Sequence, residues 1–469
     1  MKRRTFIKAA AAVAAAPYVA RATGAGDRIR MGFIGVGNRG SQLLQSFMRM
    51  PDVDVVALCD VYEPYLRRDH SAIDPKILEY CSQGGKEPWF IPNLDEKFDK
   101  QPKLYHDYRK LLEDKDVDAV CIATPDHWHA LQLVDSVRAG KDVYCEKPLT
   151  ATVAEGRFMV NEAEKARRVV AVGIQRRASE SYKRLKAHID SGKYGKLLGC
   201  RHFWAHNYGP FGVGRCAPCE PSPGLDWDAW LGPRARRGFR YTLAPYMFRW
   251  DMDFSNQLAN QGVHSLDAFR GMMGETAPKY VTAVGSRRFL KDDGNVPDTM
   301  FCVWEFSGGR TIEFTIHEAG GAGLNGPRDL EFILEDGAAY YNGSSQFRIV
   351  PSKGRLFRNP PEPKFAEVKE TFKDTVMCKD NSFASATDAC VRDFLDCVKS
   401  RGTPVVSLED GHRSTTMAHI ANIACRLGGG RLEWDGVAER FVGHLADEAN
   451  KLLSYEYREG YRRYPGLGC

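Results

Sequence analysis

The chain has 469 residues, 43% of them apolar and 27% charged, with a formal net charge of +6. That length accommodates two domains with sizeable cores, and the composition excludes general disorder. Five of the excess cations, Lys2, Arg3, Arg4, Lys8 and Arg21, fall within Met1–Ala22, which holds no acid; the rest of the chain is nearly neutral and gives no electrostatic case for nucleic acid or an anionic membrane.

The first segment, Lys2-Arg3-Arg4-Thr5-Phe6-Ile7-Lys8, runs into an alanine-rich, weakly hydrophobic stretch that ends at Ala20-Arg21-Ala22. Paired arginines ahead of such a stretch, with small residues behind it, read as a twin-arginine export signal. Residues 1–27 are therefore expected to be signal and linker, and the protein to be periplasmic or otherwise exported. Its expected partner in transit is the twin-arginine export machinery. No later stretch approaches the ~20 apolar residues needed to span a bilayer, so no stable membrane insertion is expected.

The next segment is the most informative. An apolar run, Ile29 to Ile34, leads into Gly35-Val36-Gly37-Asn38-Arg39-Gly40, a helix-like stretch, and a second apolar run, Val53 to Cys59, closed by Asp60. Strand, glycine turn, helix, strand and acid make a dinucleotide-binding fingerprint in its required context. Gly35 permits the tight turn, Gly37 lets backbone approach a pyrophosphate, and Gly40 lets helix and strand pack closely. The phosphates are expected on free N–H groups at the helix N-terminus near Arg39. Asp60 has the spacing of a carboxylate that binds a ribose 2′-OH, which favours NAD. Arg67 and Arg68 lie near enough to make NADP the second choice.

After a polar stretch to Gln101, strands are predicted at Ala119–Ala123, Asp142–Cys145 and Val169–Gly173, alternating with helices at His127–Ala139 and Val153–Arg168. This alternation indicates a doubly wound parallel sheet, with the nucleotide domain at 28–175. From 176 to 469 the rhythm changes. Lys196–His206 is strand-like, and the loop from Asn207 to Pro245 is rich in Gly, Pro, Arg and aromatics. Ser255–Met273 reads as a helix. Tyr280–Phe289, Met300–Phe306, Arg310–His317, Leu330–Leu334 and Phe347–Val350 read as consecutive strands, hence an open, mostly antiparallel sheet. Ser382–Ser400, Asp410–Leu427 and Ala438–Leu453 read as a helical tail. The predicted class is α/β followed by α+β.

In a doubly wound sheet, ligands gather at the carboxyl ends of the strands. Those ends carry Gly35–Gly40, Asp60, Thr124-Pro125-Asp126-His127-Trp128-His129 and Glu146-Lys147-Pro148. The cofactor set is then Gly35, Gly37, Asn38, Arg39, Gly40, Asp60, Thr124, Pro125, His129, Glu146 and Gln175. Lys147 is placed to reach a substrate hydroxyl; a surface lysine paired with Glu146 is the bland reading. Asn260 and His264, four apart on a helix, share a face, and only His264 titrates near neutrality. Asp267 is placed one turn on, to orient the imidazole or meet substrate. Substrate-side candidates are Asn260, Asp267, Arg177 and Trp204. The aromatics Tyr208, Trp227, Trp230, Tyr241, Tyr246 and Trp250 suit either sugar stacking or simple packing. Arg236, Arg237 and Arg240 suit hydroxyls, an acidic sugar or a second subunit. Of thirteen cysteines, only Cys216-Ala217-Pro218-Cys219 is paired in sequence. It lacks the further ligands of a zinc ribbon, which leaves a local disulfide or no role. No metal site is indicated.

Gly35–Gly40, Thr124-Pro125 with His129, and Glu146-Lys147-Pro148 together resemble the glucose–fructose oxidoreductase/inositol dehydrogenase/MocA (Gfo/Idh/MocA) family. Gly173-Ile174-Gln175-Arg176-Arg177 and Gly262-Val263-His264-Ser265-Leu266-Asp267 extend the likeness. Asp226–Pro233, Ala418–Ala424 and Leu432–Asp435 are similar to its exported subgroup. The resemblance implies a Rossmann domain, a substrate wall built on an open sheet, and dimers or tetramers formed through that sheet. It also implies oxidation of a secondary hydroxyl of a sugar or cyclitol, with the lysine, here Lys147, in the proton relay and the helix histidine, here His264, as general base. Many members carry Asp four residues before that histidine; this chain has Asn260, which cannot accept a proton.

The expected function is therefore an exported NAD-dependent oxidoreductase acting on a carbohydrate or polyol, with the cofactor retained. A redox-assisted glycosidase, in which NAD is reduced only transiently, is the alternative. A non-catalytic binding protein that keeps NAD as a structural element is the third reading.

Overall fold

The computed structural model describes residues 28–81, 91–320, 329–352, 363–373 and 385–468. The twin-arginine segment and the first residues of the helix expected from Ser382 lie outside these.

Six strands form the first sheet: β1 (Ile29–Ile34), β2 (Val53–Cys59), β3 (Lys103–Tyr105), β4 (Ala119–Ile122), β5 (Asp142–Cys145) and β6 (Val170–Val172). All neighbours are parallel, in the order β3-β2-β1-β4-β5-β6, the doubly wound arrangement of a dinucleotide-binding domain. Strands covered by helices on both faces read as unbroken apolar runs, and β4 and β5 are buried throughout. Helices Asn38–Met48, Asp126–Arg138 and Val153–Ala166 supply the crossovers. The last starts at a capping box in which Thr152 and Glu155 satisfy each other's backbone N–H groups.

The second sheet has ten strands: β7 (Leu197–Ala205), β8 (Tyr280–Ser286), β9 (Thr299–Glu305), β10 (Thr311–His317), β11 (Leu330–Leu334), β12 (Gly337–Tyr341), β13 (Gln346–Pro351), β14 (Val368–Thr371), β15 (Leu432–Asp435) and β16 (Arg440–Val442). Their order is β14-β13-β12-β11-β7-β10-β9-β8-β15-β16, antiparallel at every neighbouring pair except β7–β10. Alternation sends Met300, Cys302 and Trp304 of β9 inward, with Ile312, Phe314 and Ile316 of β10 beside them. Helices Val263–Met273 and Leu408–Arg426 pack with them in one core cluster. Phe203, Val284 and Phe301 stand on the opposite, open face, each exposed by more than a third.

Two expectations about elements are corrected. Ala438–Leu453 is not one helix: Arg440–Val442 is strand β16, and only Ala446–Asn450 is helical. The expected helix from Ser255 begins as a π-helical segment, Leu258–Gly262, before regular α-helix resumes at Val263. Among the described residues, no helix is long and apolar enough to cross a membrane.

The chain's late helices return to the first domain. Val172 N–H donates to Val406 O at 3.2 Å, and Phe394 packs edge-on against Phe47 and Tyr144. Asp52, fully buried in the turn before β2, accepts from Arg392 Nη1 at 2.7 Å and Lys399 Nζ at 2.5 Å. Burial opposes the charge of Asp52, but Arg392 and Lys399 outweigh it and hold the carboxyl down at about 2. A depressed carboxylate contributes stability above its unfolded pKa and loses it as pH falls through its folded value. Asp52→Asn should therefore cost about 2 kcal/mol at neutral pH, because Arg392 is left without its buried partner. In urea titrations the gap between variant and wild type should close as pH falls from about 4 to about 2.

Candidate active site

The carboxyl ends of β1, β2, β4 and β5 converge on a cavity of about 390 Å³. Of the expected cofactor residues, Gly35, Gly37, Asn38, Arg39 and Asp60 line it. So do Thr124, Pro125 and Glu146.

The glycine turn explains itself atom by atom. Gly35 has φ +87°, and a Cβ there would stand 2.8 Å from the backbone of Ala123 and Thr124. A Cβ on Gly40 would lie 2.1 Å from Gly35 O, so helix and loop touch only because Gly40 has no side chain. Gly37 is different: a Cβ there would meet only the Tyr65 ring, at 3.3 Å. Its bare backbone faces the cleft, as a phosphate-binding turn requires.

Asp60 accepts from Val36 N–H at 2.8 Å and Tyr62 N–H at 2.9 Å, which fixes its carboxylate beside the glycine turn. Arg68 is engaged elsewhere, with Val36 O at 2.7 Å and Glu96 Oε2 at 2.6 Å. Arg67 pairs with Glu63. Among the described residues, neither arginine lines the cavity.

Glu146, buried, accepts from Arg39 Nε at 2.7 Å and from Lys147 N–H at 3.0 Å. Burial opposes the Arg39 cation, yet the Glu146 carboxylate more than compensates and raises its pKa. Lys147 Nζ donates to Asn260 O at 3.1 Å. That carbonyl belongs to the π-helical segment, whose wider turn departs from the regular i−4 ladder. Burial brings the Lys147 ammonium down to about 8; Arg249 and Arg39 push the same way, and Glu146 and Asp126 push back. Asn260 also lines the cavity.

His264 sits one turn beyond Asn260, half-buried, its Nδ1 without a hydrogen-bond partner among the described residues. Burial, then the charges of Lys147, Arg176 and Arg39, push its pKa well below the usual histidine range. The imidazole is therefore neutral at pH 7 and keeps a lone pair for accepting a proton. Gln175 Oε1 is likewise buried and without a partner among the described residues.

Other expected residues are occupied elsewhere. His129 bridges two loops, with Thr124 O at 2.8 Å and Pro148 O at 3.0 Å. Asp267 and Arg177 are corrected as substrate contacts: they pair with each other through two 2.8 Å bonds, and Asp267 is fully buried. Asp267 therefore does not orient His264. Trp204, on β7, packs against His206 at 4.5 Å and is not among the residues lining the cavity. Arg236, Arg237 and Arg240 face Asp228, Asp251 and Asp293 respectively. That removes the case for them as an acidic-sugar site.

The long loop, however, is more than packing. Asp226 N–H donates to Val61 O at 2.9 Å, and Trp128 Nε1 to Trp230 O at 3.1 Å. These bonds strap the loop across the nucleotide domain, and Asp226, Trp230, Tyr246, Phe248 and Arg249 become cavity wall. Asp126, Gln132 and Tyr461 also line it and were not expected. Asp126 was visible as part of the Thr124–His129 motif; Arg249 and Tyr461 carry no local signal.

A glycine cradle, an acid at the β2 end and Lys147 in the wall of the same cavity suit a dinucleotide with a reacting group at the far end, while Gln175 and His264 do not line the cavity. The fold and the cleft thus define a dinucleotide-binding protein with a second, open-sheet domain. Residues 29–174 match an oxidoreductase family with an NAD-binding Rossmann fold, and residues 357–463 match the C-terminal alpha/beta domain of the same family. Together these matches span more than half of the chain, which belongs to the Gfo/Idh/MocA oxidoreductase family.

An inositol 2-dehydrogenase of Salmonella typhimurium is 32% identical over 172 residues, 36% of this chain and 44% of the relative. A glycosyl hydrolase family 109 protein of Stenotrophomonas maltophilia is 37% identical over 154 residues, 31% of this chain and 29% of the relative. The chain spans less than half the length of these curated relatives. A levoglucosan dehydrogenase solved with NADH and levoglucosan superposes with a TM-score of 0.60 at 17% identity, covering 87% of this chain and 99% of that one. An aldose-aldose oxidoreductase from Caulobacter crescentus, solved with glycerol, gives 0.59 at 17% over the same shares. At that identity the likeness is one of fold.

The two close glycines should separate by experiment. Gly40→Ala drives a Cβ into the Gly35 carbonyl and should lower the melting temperature as well as NAD binding. Gly37→Ala should leave the melting temperature of the cofactor-free protein within error yet weaken NAD about tenfold or more, the equivalent of 1.4 kcal/mol. Calorimetric titration beside thermal unfolding reads both.

Proposed function

We propose that the protein is an exported, NAD-dependent oxidoreductase acting on a secondary hydroxyl of a carbohydrate or polyol. The observation that carries this reading is Lys147, held by the Asn260 carbonyl, lining the glycine-cradled cleft, with His264 one turn beyond Asn260 and within reach of the Lys147 charge. Bound nicotinamide would take up or return the hydride. Lys147 and His264 supply the rest: a hydroxyl held beside them meets one donor and one neutral acceptor, and its proton leaves through this pair. Asn260 fixes the Lys147 ammonium through its carbonyl. Tyr246, Phe248 and Trp230 offer apolar faces for a sugar ring.

Asp60 in the cleft, with Arg67 and Arg68 both engaged elsewhere, favours NAD over NADP, because a 2′-phosphate would meet a carboxylate. The strap of residues 206–250 favours a cofactor that stays bound. Export rests on Arg3-Arg4 and the segment behind them. The open sheet face with Phe203, Val284 and Phe301 favours a homo-oligomer.

The relatives named as family 109 glycosyl hydrolases support a second reading. Oxidising a ring hydroxyl acidifies the neighbouring C–H, the aglycone is eliminated, water adds, and the hydride returns to the sugar. No net oxidation results. A spectrum of the protein purified without added cofactor, then mixed with sugars and aryl glycosides, separates the two. Absorbance growing near 340 nm with one sugar supports the dehydrogenase, where reduced nicotinamide absorbs (on the order of 340 nm). Phenol release without lasting reduction supports the glycosidase, and no nucleotide under any condition defeats both.

The pH dependence has a definite sign. The proton that His264 accepts from the hydroxyl passes on to Lys147, which must be the amine to take it, so kcat/KM for the sugar should rise as pH climbs through about 8. Reduction of the matching ketone needs the ammonium and should fall over the same range. Lys147→Met should erase both limbs. His264→Ala should keep the cofactor but slow hydride transfer about 10²–10⁴-fold.

A further inference from the structure

Most cysteines among the described residues are buried; Cys216 is half-buried and Cys219 exposed. Both belong to the strap, in the turn Cys216-Ala217-Pro218-Cys219. The turn is pinned at both ends, directly to Phe239 and, through the shared Asp293 carboxylate, to Thr242. Cys219 N–H donates to Phe239 O at 3.0 Å. Cys216 N–H donates to Asp293 Oδ2 at 2.8 Å, and Thr242 Oγ1 donates to the same oxygen at 2.8 Å. Phe239 and Thr242 are three residues apart, as are the two cysteines, so the turn lies along its support. It lies close, since a Cβ on Gly238 would stand 2.9 Å from Pro218 Cβ.

The two thiols also share their surroundings. Cys216 interacts with both the Tyr80 hydroxyl and the Cys219 thiol, and both thiols act on Tyr241. Tyr80 and Tyr241 are stacked with ring centroids 5.6 Å apart. Tyr241 donates to Asp74 Oδ2 at 2.6 Å, and Tyr80 to Arg215 O at 3.3 Å. The pair therefore marks the seam where the strap crosses the nucleotide domain.

We propose that Cys216 and Cys219 form a reversible disulfide that closes this turn of the strap. The oxidant is a low-molecular-weight disulfide. Burial and Cys216 raise the Cys219 thiol pKa, so the exposed Cys219 reacts through a minor thiolate form, attacking one sulfur of the oxidant and releasing one small thiol. Cys216 then attacks the Cys219 sulfur of the mixed disulfide and releases the second. Two protein thiols become one S–S bond, and their two hydrogens leave on the two small thiols. The site is independent of the reaction in the cleft.

The full-length protein, incubated with oxidised glutathione or with dithiothreitol, is quenched in acid, alkylated and digested with trypsin. One peptide, Cys216–Arg234, contains both residues. After oxidation it should lose two hydrogens and take no label; after dithiothreitol it should take two. Cys219→Ser should leave Cys216 open to alkylation under both conditions. Full alkylation of the wild type after oxidation overturns the proposal. So does glutathione retained on Cys219, because Cys216 would then be unable to resolve it.

Discussion

A single buried carboxylate organises the cleft. Glu146 takes Arg39 from the phosphate-loop helix on one oxygen and the Lys147 N–H on the other, while its own N–H reaches back to Ile122 O at 2.8 Å. Gly173, at the exit of β6, makes room for it: a Cβ there would lie 2.7 Å from Glu146 Oε1. A buried charge must be paired, and this one is paired across three strand ends at once. The glycine turn, the lysine loop and the end of β6 therefore cannot shift independently. Because the Glu146 carboxylate is hydrogen-bonded to Arg39, it only partly offsets the burial of Lys147, whose ammonium ends near 8. Fixing the phosphate loop and tuning the lysine are two consequences of one contact.

The first sheet was legible because its strands are covered on both faces and stand out as apolar runs; Asp142–Cys145 is read without error. In the second sheet, alternation located β7, β8, β9, β10, β11 and β13. The strands missed were short or at edges. Lys103–Tyr105 is largely exposed, Gly337–Tyr341 begins with glycine and two alanines, and Val368–Thr371 carries polar residues on an outer strand. The false helix at Ala438–Leu453 arose because a three-residue strand, Arg440–Val442, is too short to show a period of two. The helix expected from Ser255 failed at its start because the π-helical turn keeps helical composition while changing the hydrogen-bond ladder.

The site divides along the same line. Residues placed by a strand end, such as Gly35, Asp60, Thr124 and Lys147, were legible because local geometry alone delivers them to one rim. Residues placed by tertiary partners were not. Arg177 and Asp267 sit 90 positions apart and look equally fit for a ligand until each is found to be the other's partner. Arg249 and Tyr461 reach the cavity only because a strap and a tail cross it. Sequence pattern carries no signal for such crossings, since the contacts are set by docking rather than by periodicity.

That crossing also bears on how the cleft must work. To open, the strap has to give up the Asp226–Val61, Trp128–Trp230 and Tyr241–Asp74 hydrogen bonds together. It must also lift Trp230 from His127 beneath it. On the far side Arg458 ties the tail to Asp228 of the strap at 2.7 Å, so the two covers are linked to each other. Hydrogen bonds of about 1 kcal/mol each, one of them to the Asp74 carboxylate, broken jointly with an aromatic contact of similar size, make release of a long ligand a cooperative event. Asp60 and Lys147 line the same cavity as Trp230, Tyr246 and Phe248 of the strap, so a dinucleotide lying between them would pass beneath this cover. On the function proposed above, such a cover would suit a cofactor restored in place, by a second substrate or within one catalytic cycle, more than one exchanged at every turnover.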